Sequence, residues 1–282
     1  MEKDKFHKIS IVTPSFNQGE MLEDTITSIL SQNYPGLEYI IIDGGSKDSS
    51  IGIIKKYADR ITYWVSEPDR GRGDAINKGF SHSNGEIMGW LGCGDRYCPW
   101  TFWVINEIFS LFPEVEWLTT GKPLTLDKEG KLIKHKSKKG YSREAFLYGR
   151  QLPLRSCIQQ ESTFWRRSLW EKAGGYVSSD FWIMPDFELW FRFWQQAELY
   201  TLDLSLAAFR KHQGQIKSLF TAYRTARSVL KKYHRSSLAM FCNDIRYFLS
   251  CIPATRRLVA SRAMTIIYDS GSNKWVIKNE IV

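Results

Sequence analysis

Residues 37–48, LEYIIIDGGSKD, decide the fold of this chain. The first seven of them form a near-continuous apolar run, which is typical of a parallel strand that is covered on both faces. Gly44 and Gly45 then let the backbone turn, and either Ser46 or Asp48 can cap the helix that follows. The stretch therefore predicts a buried strand that leads directly into a helix.

The same alternation of strand and helix patterns surrounds this stretch. KISIVTP, RITYWVSE and GEIMGWLG have the pattern of short strands, whereas GEMLEDTITSILSQ and RGDAINKGF place apolar residues at helical spacing. Strands that alternate with helices predict an α/β fold with a mostly parallel central sheet flanked by helices. The sequence contains neither GxGxxG nor the P-loop motif, so dinucleotide-binding and P-loop proteins are disfavoured.

Composition excludes several classes of protein. The chain has 282 residues, of which 43% are hydrophobic and 24% charged, which is the profile of a soluble globular protein. We expect neither a signal peptide nor a membrane span, because no apolar run is long enough for one. The five cysteines include no CxxC pair, so a disulfide framework and a zinc ribbon are not expected, and the cytoplasm is the predicted compartment.

Positive charge is concentrated towards the C-terminal end of the chain. The net charge is +9, and residues 210–262 contain twelve Lys or Arg against one acid, Asp244, so this segment carries +11 and the rest −2. Apolar residues at helical spacing after Ser218 predict a basic, mainly helical region over residues 216–282, following a core domain of residues 1–215. The region is expected either to dock on an anionic membrane surface or to form a packed lid with solvated charges. Nucleic acid is not expected as a partner, because no recognition motif accompanies the charge.

Polar residues follow each predicted strand of the first half. In an open parallel sheet, ligands bind beyond the carboxyl ends of the strands, so these positions are candidate site residues. They form the segments TPSFN (13–17), DGGSKD (43–48), EPDRG (67–71) and GCGD (92–95). Each segment taken singly is also ordinary turn chemistry, but four of them along one sheet edge favour a binding site.

These segments and their order resemble the family 2 glycosyltransferases, whose nucleotide-sugar-binding fold is called GT-A. The resemblance rests on IVTPSFNQGEMLEDTITSILSQNYPGLEYIIIDGGSKDSS, SEPDRGRGDAINKGF, the acidic loop after GEIMGWL, QQESTFWRRSLWEKAGGY and DFELWFRFW, and covers about residues 8–215. It implies a GT-A fold and the transfer of a sugar from a UDP-, GDP- or dTDP-sugar to an acceptor hydroxyl, with inversion at the anomeric carbon.

The resemblance also implies a set of nucleotide-binding residues at the strand ends. Asp43 would hydrogen-bond the base, and Asp69 with Arg70 would close over the nucleotide. The full set is Thr13, Pro14, Ser15, Asn17, Asp43, Gly44, Ser46, Asp69, Arg70, Asp74, Lys78, Cys93 and Gly94.

The loop that ends at Asp95 matches the family's Asp-x-Asp loop, which helps to hold Mg²⁺ or Mn²⁺ against the diphosphate. It departs from that pattern, because Gly92 and Gly94 stand where an earlier acid or amide is usual. A divalent cation that bridges a diphosphate needs only one or two protein carboxylates, and the resemblance offers His212 as a second ligand. We therefore expect a divalent cation, Mn²⁺ or Mg²⁺, held by Asp95 and His212.

Inverting transfer requires a base that takes the proton of the acceptor hydroxyl. Asp186 and Glu188 match the family's acidic catalytic motif, and the resemblance assigns the base role to Asp186. Glu188 is expected to point elsewhere, since residues two apart on a helix do not share a face, and helix capping is the alternative role for Asp186. Gln160, Glu161 and Trp165 are expected to contact the donor sugar or the acceptor.

The sequence therefore predicts an inverting transferase that uses a nucleotide-sugar donor, with a UDP-sugar favoured, and a glycan or lipid-linked acceptor. Its expected place is the synthesis of surface polysaccharide or glycolipid, in the cytoplasm or at the inner face of the membrane. Two alternatives stay open. Arg210 and Lys211 could neutralise the leaving diphosphate in a metal-independent enzyme, or the chain could be a nucleotide-sugar-binding or scaffold protein that has lost turnover.

Overall fold

The computed structural model describes residues 6–147, 158–181, 184–211, 219–233, 245, 249 and 261–282. Its strands, in chain order, are β1 (Ile9–Ser15), β2 (Leu37–Asp43), β3 (Tyr63–Ser66), β4 (Ile87–Trp90), β5 (Arg96–Tyr97), β6 (Trp117–Thr120), β7 (Leu124–Leu126), β8 (Leu132–His135), β9 (Phe164–Arg166), β10 (Leu199–Leu202), β11 (Ala207–Arg210), β12 (Arg262–Asp269) and β13 (Lys274–Ile281). Its α-helices are α1 (Gly19–Leu30), α2 (Ser50–Lys56), α3 (Arg72–Ser81), α4 (Thr101–Leu111), α5 (Arg143–Leu147), α6 (Arg167–Lys172), α7 (Pro185–Gln196) and α8 (Leu219–Tyr233). Short 3₁₀ turns occur at Ala58–Arg60 and Gln160–Ser162.

A nine-stranded sheet runs through the described residues in the order β13-β12-β10-β6-β9-β4-β1-β2-β3. β1 pairs in parallel with β2 and β4, β2 with β3, and β10 with β6 and β12. β9 lies antiparallel between β4 and β6, and β13 is antiparallel to β12. The predicted α/β fold with a mostly parallel central sheet is therefore confirmed.

Strand β2 is covered on both faces, as its apolar run predicts. Tyr39 and Ile41 belong to a core layer that includes α1 and α4, whereas Ile40 and Ile42 belong to a second layer with α3 and α7. None of the four side chains has exposed surface. Burying a large apolar side chain contributes roughly 2 kcal/mol, so both faces of the sheet stabilise the fold.

A second sheet, of order β5-β11-β7-β8, is formed by short strands between residues 96 and 210. The segment LTLDKEGKLIKH forms the antiparallel β7–β8 hairpin, with Gly130 in the turn at φ 84°. β5 follows the acidic loop and pairs with β11. This pairing anchors the loop to the strand that ends at Arg210.

The C-terminal region differs from the predicted, mainly helical segment of residues 216–282. α8 is helical, but β12 and β13 form an antiparallel pair, and β12 adds to β10 in parallel. The helical prediction is wrong for this end because RAMTIIYD and KWVIKNEI are rich in residues that suit a pleated strand, and a turn with Asn273 at φ 54° joins them. These strands extend the central sheet instead of forming a separate region.

Helix α8 packs against the body of the protein. Ala226, Val229 and Leu230 are buried in the core layer that contains α7. The exposed basic side chains of α8 are Arg224, Arg227, Lys231 and Lys232. Its apolar face is therefore covered by protein, as in the packed-lid alternative, while residues 234–244 and 250–260 of the basic region lie outside the described residues.

Among the residues that the structure describes, no helix combines the length and the apolar character needed to cross a bilayer.

Close packing of α3 on β1 gives a test of the fold. A Cβ on Gly79 would collide with the side chain of Val12, so Gly79→Ala should destabilise the protein by about 1–3 kcal/mol through overpacking. Gly52→Ala is the matched control, because α2 has open space at that position, and it should be neutral or stabilising by up to about 1 kcal/mol. Urea denaturation of both variants measures the difference. Equal midpoints would contradict the packing argument.

Candidate active site

The carboxyl ends of four neighbouring strands meet at one edge of the large sheet. Within the order β4-β1-β2-β3, Ser15 lies beside Asp43, and Asp43 lies beside Ser66. The loop that ends at Asp95 follows β4, and α3 begins shortly after β3. The polar segments after these strands are therefore neighbours in space, where an open parallel sheet binds ligands.

Asp43 holds this edge together from inside the protein. Its Oδ2 accepts hydrogen bonds from the N–H of Gly45 (3.1 Å), the N–H of Ser46 (2.8 Å) and the hydroxyl of Ser66 (2.6 Å). Its Oδ1 accepts from the Ser46 hydroxyl (2.6 Å), and the residue has no exposed surface. The expected bond between Asp43 and a base does not fit this arrangement, because the carboxylate is enclosed and already accepts four hydrogen bonds.

Asn17 and Asp48 tie the first two loops together. The N–H of Asn17 donates to Ser46 Oγ (2.8 Å), and Asn17 Oδ1 accepts from the N–H of Lys47 (2.8 Å). The Asp48 carboxylate accepts backbone N–H bonds from the first residue of α1 (2.8 Å) and of α2 (3.0 Å). The N-cap residue of α2 is Ser49, so the prediction of Ser46 or Asp48 as its N-cap is wrong, although Asp48 accepts from the first backbone N–H of the helix. Asn17 and Ser46 are predicted nucleotide contacts, but their polar side-chain atoms form hydrogen bonds within these loops.

Several side chains predicted to contact a ligand are buried. Thr13 Oγ1 accepts a hydrogen bond from the Tyr39 hydroxyl (3.1 Å), and the Cys93 thiol donates to the carbonyl of Gln18 (3.5 Å). Burial raises the pKa of the Cys93 thiol. Trp165 has no exposed surface and packs among other aromatic rings of the core. The candidates buried in this way are Thr13, Pro14, Ser15, Cys93 and Trp165. The structure thus corrects the expectation that these side chains face a ligand.

Exposed ion pairs surround the loop before α3. Arg70 pairs with Asp74 (2.9 Å), and Lys78 pairs with Glu67 (2.5 Å). Exposed pairs of this kind contribute little to stability, because solvent screens their charges. Arg70, Asp74 and Lys78 therefore lie at the rim of the sheet edge, where the sequence predicts contacts with the nucleotide.

Hydrogen bonds from two other elements shape the acidic loop. Gly94, at φ 100°, donates its N–H to Thr25 Oγ1 (2.9 Å), and the Thr25 hydroxyl donates to the carbonyl of Asp95 (2.8 Å). Asp95 Oδ1 accepts from the backbone N–H of Arg210 (2.8 Å). Asp95 Oδ2 accepts no hydrogen bond from any residue that the structure describes. The N–H of Gly94, a candidate nucleotide contact, is therefore used inside the protein, while one Asp95 oxygen stays available.

Arg210 is engaged inside the protein. Its guanidinium pairs with Asp24 of α1 (2.8 Å), and the residue is only 3% exposed. Asp24 also pairs with Arg96. This position gives no support to the alternative in which the Arg210 side chain neutralises a diphosphate without metal.

Three carboxylates share one electrostatic environment beside this loop. Burial, and then the negative charge of Glu161, raise the pKa of Asp95 well above its ordinary range. Burial also raises the pKa of Glu161, to about 7, and the charge of Asp186 adds to that shift. The pKa of Asp186 is raised by burial as well. The positive charge of Arg72 opposes all three shifts, so this exposed residue at the start of α3 lies close to the cluster.

Gln160 and Glu161 lie in the 3₁₀ turn before β9. The side-chain amide of Gln160 donates to the carbonyl of Trp90 at the end of β4 (2.7 Å). Glu161 is 5% exposed, and its Oε1 has no hydrogen-bond partner within the described residues. A buried carboxylate oxygen without a donor is unfavourable unless it takes a proton or a cation.

The residues at this position fit a divalent cation. Asp95 Oδ2 and Glu161 Oε1 are hard oxygen ligands of the type that Mg²⁺ and Mn²⁺ prefer. The described residues include no group of three or more His, Cys, Asp or Glu side chains arranged to hold a metal ion, so diphosphate and water would have to supply the other ligands. His212, the predicted second ligand, lies outside the described residues.

Glu188 belongs to a structural network instead of this cluster. It has no exposed surface, and its carboxylate accepts from the guanidinium of Arg192 (2.9 Å) and from the Tyr233 hydroxyl of α8. Arg192 also donates to the carbonyl of Tyr176 (2.6 Å). The prediction that Glu188 is catalytic is therefore wrong, because its side chain joins α7 to α8 and to the turn at Tyr176. Asp186 is only partly buried.

Sequence reasoning missed Arg72 and Thr25. Arg72, in RGRGDAINKGF, has the pattern of a solvated cation, and only the folded arrangement brings it near the carboxylates. Thr25 lies in the middle of α1, where a single hydroxyl carries no recognisable signal. The one indication that Thr25 has a structural role is that it lies on the buried, otherwise apolar face of α1.

Comparison with known proteins points to one family. The model described as "Glycosyl transferase family 2" matches residues 10–97. An uncharacterised glycosyltransferase of Mycobacterium tuberculosis is 32% identical over 187 residues, which cover 64% of this chain and 66% of that protein. One from Rickettsia typhi is 28% identical over 250 residues, which cover 86% and 78%. The match thus spans just under two thirds of the mycobacterial relative.

Solved structures share the fold. S. aureus TarS 1-349 in complex with UDP-GlcNAc has a TM-score of 0.63 at 15% identity, over 86% of this chain and 71% of that one. The mannosyltransferase PcManGT from Pyrobaculum calidifontis, in complex with GDP-Man and Mn²⁺, has a TM-score of 0.54 at 15% identity, over 90% and 84%. At this identity the likeness concerns the fold alone.

The raised pKa of Glu161 makes stability depend on pH. Its pKa is about 7 in the folded protein against an ordinary 4.5, so stability is greatest below the ordinary value and falls as pH rises through about 7. The loss from this group amounts to about 3 kcal/mol. Glu161→Gln should remove this decline and exceed the wild type in stability at about pH 8, as measured by urea denaturation with EDTA.

Glu107→Gln is the control, because Glu107 is exposed on α4. This variant should keep the wild-type dependence of stability on pH. Parallel pH profiles for the wild type and Glu161→Gln would contradict the burial of an unpaired carboxyl group.

Proposed function

Because the chain belongs to glycosyltransferase family 2, we propose that it is an inverting transferase for a nucleotide-diphosphate sugar. The observation that carries this proposal is the position of three carboxylates, Asp95, Glu161 and Asp186, beside the strand-end loops. The loops after β1, β2 and β3 hold the nucleoside, and the carboxylates lie where the diphosphate and the reacting sugar follow. The donor that we propose is a UDP-sugar, the class of nucleotide sugar that is bound in the TarS complex with the same fold.

A divalent cation completes the diphosphate site. Asp95 and Glu161 would hold it together with phosphate oxygens, and the bound ion would supply positive charge to the leaving diphosphate. The PcManGT complex with GDP-Man and Mn²⁺ supports this class of chemistry. The hydrogen bonds to Thr25 and Arg210 fix the loop that carries Asp95, so the carboxylate is positioned before the nucleotide arrives.

Asp186 is the base in this proposal. It lies in the first turn of α7, and burial raises its pKa, which makes it a better proton acceptor near neutral pH. The acceptor hydroxyl passes its proton to Asp186 while its oxygen forms a bond to the anomeric carbon. The bond from that carbon to the diphosphate breaks on the opposite face, so the configuration inverts. The positive charge of Arg72 opposes this rise in the pKa of Asp186 and so favours the ionised form that accepts the proton.

The acceptor is a glycan or a lipid-linked sugar at an anionic membrane surface, in the synthesis of surface polysaccharide or glycolipid. The exposed basic residues of α8 support this part of the proposal. Because the apolar face of α8 is buried, contact through this helix is electrostatic and weakens as salt concentration rises.

Calorimetric titration with UDP, GDP and dTDP, each with Mn²⁺ and with EDTA, tests the donor site. We expect one nucleotide to bind in a metal-dependent manner, and Asp95→Asn to weaken its binding at least about tenfold because the negative charge of a cation ligand is lost. Asp59→Asn, an exposed residue on the turn before β3, should bind like the wild type. Equal binding in EDTA would exclude the metal site, and binding without transfer to any acceptor would favour a nucleotide-sugar-binding or scaffold protein.

Asp186 and Glu188 give a second test, because only the former is assigned to chemistry. Asp186→Asn should lower kcat about 10²- to 10⁴-fold with little change in nucleotide affinity. Glu188→Gln should lower stability by about 3–5 kcal/mol, because it leaves Arg192 as an uncompensated buried charge. The folded fraction of Glu188→Gln should keep the wild-type pH profile of UDP release. Wild-type turnover in Asp186→Asn would disprove the base assignment.

A further inference from the structure

The edge strand β8 and the residues around it form an exposed basic surface. Residues 127–139, DKEGKLIKHKSKK, contain six Lys against two acids, so this stretch carries +4. Its exposed lysines are Lys128, Lys131, Lys134, Lys136 and Lys139. Lys128 pairs with Glu129 (3.3 Å), whereas the other four pair with no carboxylate in the part of the chain that the structure describes. Their positive charge is therefore available to an anionic partner.

Two large apolar side chains are exposed in the middle of this charge. Leu132 is 53% exposed and Ile133 is 49% exposed. Leu132 pairs with Leu126 of β7, and the preceding residue of β7, Thr125, pairs with Lys134, so Ile133 is an extra residue in the ladder. Such a bulge changes the direction in which a side chain points. Neighbouring apolar side chains surrounded by cations are typical of a surface that enters the interface of an anionic bilayer.

Charge distinguishes this surface from another exposed apolar side chain. Leu111, at the end of α4, is 54% exposed, but the nearest charged residues on either side of it in the chain are the exposed Glu107 and Glu114. An anionic membrane surface would repel that end of α4 and attract β8. The combination of apolar side chains and unpaired lysines therefore indicates a lipid surface as the partner of β8.

Hydrogen bonds connect the β7–β8 hairpin to the loops that carry the buried carboxylates. The side-chain amide of Gln159 donates to the carbonyl of Leu124 in β7 (2.9 Å), and Gln159 precedes Glu161 by two residues. β7 also pairs in parallel with β11, whose last residue, Arg210, donates its backbone N–H to Asp95 (2.8 Å). A membrane that contacts β8 is thereby held in a defined position relative to the carboxylate cluster.

We infer that β8 docks the protein on an anionic membrane, with Leu132 and Ile133 in the interfacial region and the neighbouring lysines at lipid phosphates. The inference rests on the proposed function, because it names the surface through which the transferase meets a lipid-linked acceptor. Helix α8 offers charge alone, since its apolar face is buried, whereas β8 offers charge and apolar surface together. Binding through β8 therefore persists in part at high salt, which screens charges but does not weaken apolar burial.

Sedimentation of the full chain with vesicles of phosphatidylcholine, with and without phosphatidylglycerol, tests this surface. The wild type should bind the vesicles that contain phosphatidylglycerol at least about tenfold more tightly. Lys131→Gln combined with Lys134→Gln should weaken that binding about 10- to 30-fold, because two cations near the surface are lost. Leu132→Ser combined with Ile133→Ser should weaken it about tenfold and abolish the part that persists at high salt, because the apolar contact is lost.

Leu111→Ser and Lys55→Gln are the matched controls, because both residues are exposed outside the hairpin, and both variants should bind vesicles like the wild type. Lys231→Gln combined with Lys232→Gln removes charge from α8 and should have a smaller effect than either hairpin variant. Calorimetry without vesicles should give wild-type binding of nucleoside diphosphate for both hairpin variants. Near-UV circular dichroism and thermal unfolding establish that they are folded.

Lysines and bulges also protect edge strands from pairing with another chain. If the hairpin variants bind anionic vesicles like the wild type, the inference is wrong, and their self-association in size-exclusion chromatography would assign this protective role to β8. A wild type that does not bind anionic vesicles, or a loss of binding in the α8 variant alone, would also overturn the inference while the proposed transferase activity stands. If the wild type binds no nucleoside diphosphate, the proposed function fails whatever the vesicles show.

Discussion

The parallel pairing of β1 with β2 on one side and with β4 on the other determines where the polar loops lie. Parallel strands end at the same edge, so the register that places Ser15 beside Asp43 also brings the following loops together. A slip of one residue would exchange the core layers of Ile11 and Val12, which are both fully buried. The geometry of the site is therefore a consequence of how tightly the sheet is packed on its two faces.

Carboxylates serve two different purposes around this edge. Asp43 and Glu188 accept hydrogen bonds from several protein donors and hold loops and helices in place. Asp95 and Glu161 are buried and Asp186 is partly buried, each with fewer donors, and their pKa values rise. Burying a carboxylate without full compensation costs stability, so a fold that keeps three of them together indicates a site where a ligand or a proton completes the interactions.

Local periodicity was enough to predict the strand and helix alternation of the first half and the burial of β2 on both faces. It was not enough to predict which acids reach the site, because a pattern does not reveal that Asp43 is enclosed by its own loop. The sequence favoured Asp186 over Glu188 as the base, but it did not reveal that Arg192, one turn later on the same helix, neutralises Glu188. The addition of β12 to β10 depends on contacts between distant parts of the chain, which no short segment encodes.

The placement of β12 beside β10 changes how the basic segment should be regarded. Since both strands belong to one sheet, the residues between them are an insertion within a domain and not a tail that follows it. The entropy of closing such a connection grows slowly, by about 0.6 kcal/mol for each doubling of its length. A change in the length or the charge of this insertion therefore costs the sheet little stability, so the basic segment and the strand-end edge can vary independently of each other.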